Sequence, residues 1–110
     1  YYNSLGVMAM TELLDPPQYE KLVAGCRRIG LSDRDVHYYA EHITVDIGHA
    51  DGWLNNVIVP IGKKHPAAME EVYFGAALRL QTCNDYYDGL LAALQSLDGS
   101  ASSHSVPPSE

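Results

Sequence analysis

Glu41-His42-Ile43-Thr44-Val45-Asp46-Ile47-Gly48-His49 is the stretch from which the chain is read. On a helix advancing about 100° per residue, Asp46 lies roughly 40° to one side of His42 and His49 roughly 20° to the other. Two imidazoles and a carboxylate therefore share one narrow stripe, while Ile43, Val45 and Ile47 point elsewhere. Burying Asp46 without a partner would cost several kcal/mol. A buried stripe of this composition calls for a cation, and mixed imidazole and carboxylate donors suit iron, manganese or zinc. No thiolate joins them: Cys26 and Cys83 fall in apolar patterns on other segments, and structural zinc generally recruits cysteine. Tyr38, Tyr39, Asp35 and Thr44 are the candidates for orienting the ligands.

Working outward, the chain reads as helices throughout. Residues 2–14 carry an apolar 3.6-residue period that includes Leu5, Met8, Met10 and Leu14. Asp15-Pro16-Pro17 is expected to end this helix, because a residue before proline is pushed out of the α region. A second helix is expected from about Pro17 to Arg28, with Gly30 as the glycine just beyond its end. Ser32 is placed to cap a third helix over 33–62, with Asp33 and Asp35 in its first turn. Lys63-Lys64-His65-Pro66 reads as a connector and 66–97 as a fourth helix. The Ser/Gly/Pro-rich tail 98–110 is expected to be disordered. Fold class is thus all-α, a helical bundle occupying 1–97.

Composition narrows the function. A net charge of −7 with seven Lys plus Arg leaves no basic stripe for nucleic acid or an anionic membrane. No apolar run reaches the ~18–20 residues of a membrane span. No secretory signal is visible, and two cysteines without a CxxC spacing suit a reducing cytoplasm. The remaining histidines, His37 and His65, read as surface residues; His104 belongs to the tail. Tyr38, Tyr39, Tyr73, Tyr86 and Tyr87 read as core or rim aromatics, Tyr73 being a candidate partner for a metal centre. Glu70-Glu71 suits a helix N-terminus, and Glu41 lies off the stripe, towards solvent. No Ser has a His/Asp companion for nucleophilic catalysis.

His42-x3-Asp46-x2-His49, followed by Trp53, resembles a ligand-bearing helix of the haem-oxygenase-like diiron oxidases, the iron-containing redox enzymes. These share the haem-oxygenase/thiaminase-II scaffold but bind no haem. In that family a Glu precedes the first His of the motif by about thirty residues; Glu12 stands 30 positions before His42, among apolar neighbours. The resemblance implies four metal ligands in this chain: Glu12, His42, Asp46 and His49. It also implies two irons, O2 as co-substrate and a small organic substrate. The family's remaining Glu and His ligands come from helices nearer the N-terminus, so the resemblance covers the C-terminal part of the fold. Neither Cys83 nor its surroundings carries a thiaminase-like nucleophile motif.

The proportions agree with an incomplete bundle. A 30-residue helix spans about 45 Å, whereas a compact 100-residue domain has a radius of gyration near 13 Å. Further helices, from a preceding segment or from a second copy in a homodimer, are expected to complete it. The competing expectation is a non-catalytic helical scaffold or partner subunit with an incomplete metal site.

Overall fold

The computed structural model describes residues 1–102. It is all-α: no strand occurs among the described residues. Helix α1 runs Tyr2–Arg28 and α2 runs Asp33–Gly52. A π-helical segment, Trp53–Ile58, leads into the short α3, Val59–Lys64. A single 3-10 turn, Pro66–Ala68, precedes α4, Met69–Ser102. The chain forms two compact units, one of residues 1–80 and a second that begins at Gln81.

The largest departure from the sequence reading is at Pro16-Pro17, which lie inside one continuous helix instead of separating two. Proline removes an N–H and crowds the carbonyl four residues back, a cost of about 3 kcal/mol in a helix interior. The carbonyls of Glu12 and Leu13 thereby lose their ladder donors. Packing of α1 along α2 offsets that cost, and Pro16 is itself buried in the first unit. Tertiary burial overrides local propensity here.

The hairpin between α1 and α2 is built by its own residues. Gly30 adopts φ 89, a conformation that costs little without a Cβ. Gly30 N–H donates to the Arg27 carbonyl at 3.0 Å and Leu31 N–H to the Cys26 carbonyl at 3.1 Å, the bond pair of a Schellman ending. Ser32 then caps α2. Its hydroxyl accepts from Asp35 N–H at 3.4 Å, and Asp35 Oδ2 accepts from Ser32 N–H at 2.9 Å. The reciprocal pair is a capping box. The Arg27–Asp33 ion pair at 2.9 Å spans the turn but lies in solvent and adds little.

Ser32→Ala should cost about 1 kcal/mol of unfolding free energy. The Ser32 hydroxyl, which donates to Asp35 Oδ2 at 2.7 Å, and the Ser32 N–H together hold the Asp35 carboxyl below its ordinary value of 3.8. A depressed acid contributes stability that is present above the unfolded pKa and is lost as pH falls through the folded one. The melting-temperature difference between wild type and Asp35→Asn should therefore be constant above about pH 5 and shrink in stronger acid. A difference that persists undiminished at low pH would contradict the box.

Beyond Gly52 the helix widens, and the reason is visible one turn ahead. Pro60 has no N–H for the Asn56 carbonyl, and the i→i+5 pairing of Trp53–Ile58 shifts register just before it. The expected third helix over 33–62 is thus helical throughout but not uniformly α. It ends at Lys64, not Gly62, so the connector shrinks to His65, with φ −136 and ψ 73. At the other end α4 continues through Asp98 to Ser102, five residues further than expected. The rest of the expected disordered tail, with His104, lies outside the described residues.

The core of the first unit is small: Leu5, Val23, Val36, Ile58, Ala68 and Val72 are buried. Gly6 and Gly75 let α1 and α4 touch backbone to backbone. A Cβ on Gly6 would collide with the Val72 carbonyl, and one on Gly75 with the Asn3 carbonyl. In the second unit the described part of α4 leaves Leu90, Leu91, Leu94 and Leu97 exposed. Tyr86 and Tyr87, expected as core or rim aromatics, are exposed and stack edge-on at 5.2 Å.

Candidate metal centre

Helices α1 and α2 are antiparallel, and three contacts define their register. Arg27 meets Asp33 beside the turn. Midway, the Tyr19 ring packs edge-on against Tyr39 at 5.2 Å and His42 at 6.4 Å. Farther on, Glu12 Oε2 meets His49 Nδ1 at 3.1 Å. The α1 stripe Glu12-Asp15-Tyr19 therefore lies along the α2 stripe His49-Asp46-His42.

Asp46 is 3% exposed and is the only charged residue buried among the described ones. Its Oδ1 lies 3.2 Å from His49 Nδ1. Glu12, Asp46 and His49 each offer a ligand atom, all within 4.8 Å of one another. Donors about 2.0–2.2 Å from a shared metal stand about 3 Å apart at right angles, so the 3.1 and 3.2 Å contacts suit one coordination sphere. His49 itself is half exposed.

His42 is not in that cluster. It lies one turn back along α2, half-buried, with its ring stacked on Tyr38 at 4.0 Å. Its Nδ1 lies 2.7 Å from the Tyr38 carbonyl oxygen. A carbonyl only accepts, so Nδ1 carries the proton and Nε2 is left with the lone pair that a metal requires.

Asp15 was expected only to end a helix. Because α1 continues through the prolines, Asp15 sits on the site-facing stripe. Its half-buried carboxyl accepts a hydrogen bond from the Tyr19 hydroxyl. Desolvation, followed by the neighbouring Asp46 carboxylate, raises its pKa above the ordinary 3.8, with Arg79, Tyr19 and His42 opposing. Burial, followed by the Asp15 charge, pushes the Tyr19 hydroxyl upward as well. The missed signal was the i, i+3 spacing of Glu12 and Asp15, hidden by the helix break assigned between them and Tyr19.

Arg79 of α4 ties this part of α1 in place. Its Nε donates to Thr11 Oγ1 at 3.0 Å, and Thr11 donates to the Val7 carbonyl at 2.9 Å. Other candidates fall away from the centre. Asp35 is occupied in the capping box, Thr44 is exposed, and His37 pairs with Glu41 at the surface at 3.7 Å. Tyr73 is exposed, whereas Tyr19 packs against His42. Cys26 and Cys83 form no disulfide.

Glu12 borders two clefts. One of about 330 Å³ is lined by Leu13, Pro16, Ile47, Ala50 and Leu54, with Asp51 and Glu12 as its acidic members. The other, of about 480 Å³, lies on the His49 and Trp53 side. Both helix irregularities flank the cluster: the proline pair follows Glu12 and Asp15, and the π-helical segment follows His49. Widened turns of this kind frequently accompany functional sites.

Fold and site together define an all-α protein with carboxylate and imidazole donors gathered between two helices, a set that fits iron. The chain belongs to the family of iron-containing redox enzymes, whose pattern matches residues 1–83. No curated protein and no solved structure matches the chain. Membership of that family points to iron as the metal and to redox chemistry as the class. No helix among the described residues is long and apolar enough to cross a membrane.

Proposed function

We propose that the chain carries the larger part of a dinuclear iron centre that uses O2 to oxidise a small organic substrate. The observation that carries this reading is the buried Asp46 carboxylate, set within ligand distance of Glu12 and His49 in a chain of an iron-using redox family. Glu12, Asp46 and His49 would hold one iron, and His42, through Nε2, the other. When bound, iron supplies the electrons and the open coordination positions that O2 reduction needs.

The chain's own groups do the rest. The Tyr38 carbonyl fixes the His42 tautomer. The burial of Asp46 keeps water from its carboxylate and strengthens its hold on a cation. Leu13, Pro16, Ile47 and Leu54 give the cleft beside Glu12 an apolar wall sized for a small organic molecule. Exposed apolar residues such as Leu13, Ile47 and Leu54 support completion of the bundle by further helices, in a homodimer or from another segment, which would also bring the remaining Glu and His. The work of such an enzyme belongs in the cytoplasm, where both thiols stay reduced.

Anaerobic Fe2+ titration should approach two irons per complete site, with His42→Ala and His49→Ala each losing bound metal. Unchanged iron binding in both variants would overturn the proposal. A wild-type protein that takes up no iron would instead favour the non-catalytic scaffold.

A further inference from the structure

The antiparallel register puts a further carboxylate at the centre. Glu12 faces His49, and Tyr19 faces His42 and Tyr39. Asp15 is bracketed between those contacts, one turn from each on α1, and so falls opposite Asp46 and His42. Its carboxyl group is close enough to both to feel their charge. The Tyr19 hydroxyl donates to it, which orients the carboxyl as hydrogen bonds to ligating carboxylates commonly do.

We propose that Asp15 is a metal ligand, so that α1 contributes Glu12 and Asp15 and α2 contributes His42, Asp46 and His49. Two ligands at i, i+3 on one bundle helix project inward together, the spacing by which bundle helices supply pairs of ligands to dinuclear centres. Asp46 then lies between two groups of donors. Glu12 and His49 are on one side; Asp15 and the Nε2 lone pair of His42 are on the other. Each side has one carboxylate from α1 and one imidazole from α2. Two carboxylates near enough to repel each other, beside an imidazole whose Nδ1 is already committed, form a set that a cation would stabilise. The inference rests on the metal-centre reading above.

Co2+ titration of the full chain tests it, because Co2+ reports its ligands through its ligand-field absorption. Asp15→Asn preserves shape and removes the charge. It is expected to weaken Co2+ binding by at least about 10-fold and to alter the absorption bands. Tyr19→Phe should shift affinity in the same direction by less. Unchanged affinity and bands in Asp15→Asn would overturn the proposal. So would weaker binding with unchanged bands, which would make Asp15 a charged neighbour and no ligand. Wild-type protein that binds no Co2+ would defeat the metal-centre reading and this proposal with it. If Asp15→Asn loses its helical circular dichroism, Asp15→Glu decides: altered bands support ligation, and bands identical to wild type overturn it.

Discussion

Asp46→Asn is expected to strip the protein of iron while leaving the metal-free fold as stable as before, or more so. The replacement has the same shape, and its amide oxygen would take the place of Asp46 Oδ1, which lies 3.2 Å from His49 Nδ1. What disappears is a negative charge in a place that is 3% exposed. Burying a carboxylate costs several kcal/mol unless a partner repays it. Besides His49, the groups around this one include the Asp15 carboxylate, which repels it. Removing the charge relieves the metal-free protein and removes an anionic ligand from the metal-loaded one. Metal affinity should fall by about 100-fold or more, beyond the loss typical of changes outside the ligands themselves. Urea unfolding in the presence of a chelator should give a midpoint equal to or above that of wild type. Opposite signs in the two measurements mark a residue retained for function at the expense of stability. Iron content unchanged by Asp46→Asn would exclude Asp46 as a ligand.

Gly6→Ala and Gly75→Ala carry the largest expected losses of stability. A methyl on Gly6 would overlap the Val72 carbonyl and approach Ala76 N to 2.8 Å; on Gly75 it would overlap Asn3 backbone. The obstructing atoms are main chain inside helices, so no side-chain rotation can clear them. The two helices would have to separate, opening the contact beside the buried Leu5 and Val72. Overpacking typically costs 1–3 kcal/mol, and here about 3 kcal/mol or more is expected. With a slope of about 1–3 kcal/mol/M, the urea midpoint should fall by roughly 1 M or more. Gly25→Ala supplies the contrast. Nothing lies within 4 Å of its added Cβ, so the intrinsic helix preference for alanine should raise stability by up to about 1 kcal/mol. If all three variants behaved alike, close helix contact at Gly6 and Gly75 would be excluded.

How much could be read from the chain differs by residue. The α2 stripe was legible because a helix imposes its own 3.6-residue period on His42, Asp46 and His49, independent of any neighbour. The start of α2 was equally legible, since Ser32 and Asp35 satisfy orphan amides within four residues of sequence. That apolar side chains such as Leu13, Ile47 and Leu54 stay exposed was anticipated by the helix lengths. Asp15 was not legible as part of the site. Local steric preference before proline argued for a break, and that argument weighs only the chain against itself.

What the sequence by itself determined is the helical class, the α1–α2 turn and the spacing of the candidate donors on α2. These depend on backbone hydrogen bonding and side-chain spacing within a few residues. Tertiary structure alone decided that α1 runs on through Pro16-Pro17, that Glu12 meets His49, and that Asp15 comes near enough to Asp46 to feel its charge. It also decided that His42 stands one turn apart from the cluster, on Tyr38. Each of those facts depends on the register of one helix against another, a balance between burial and local strain that no single segment contains.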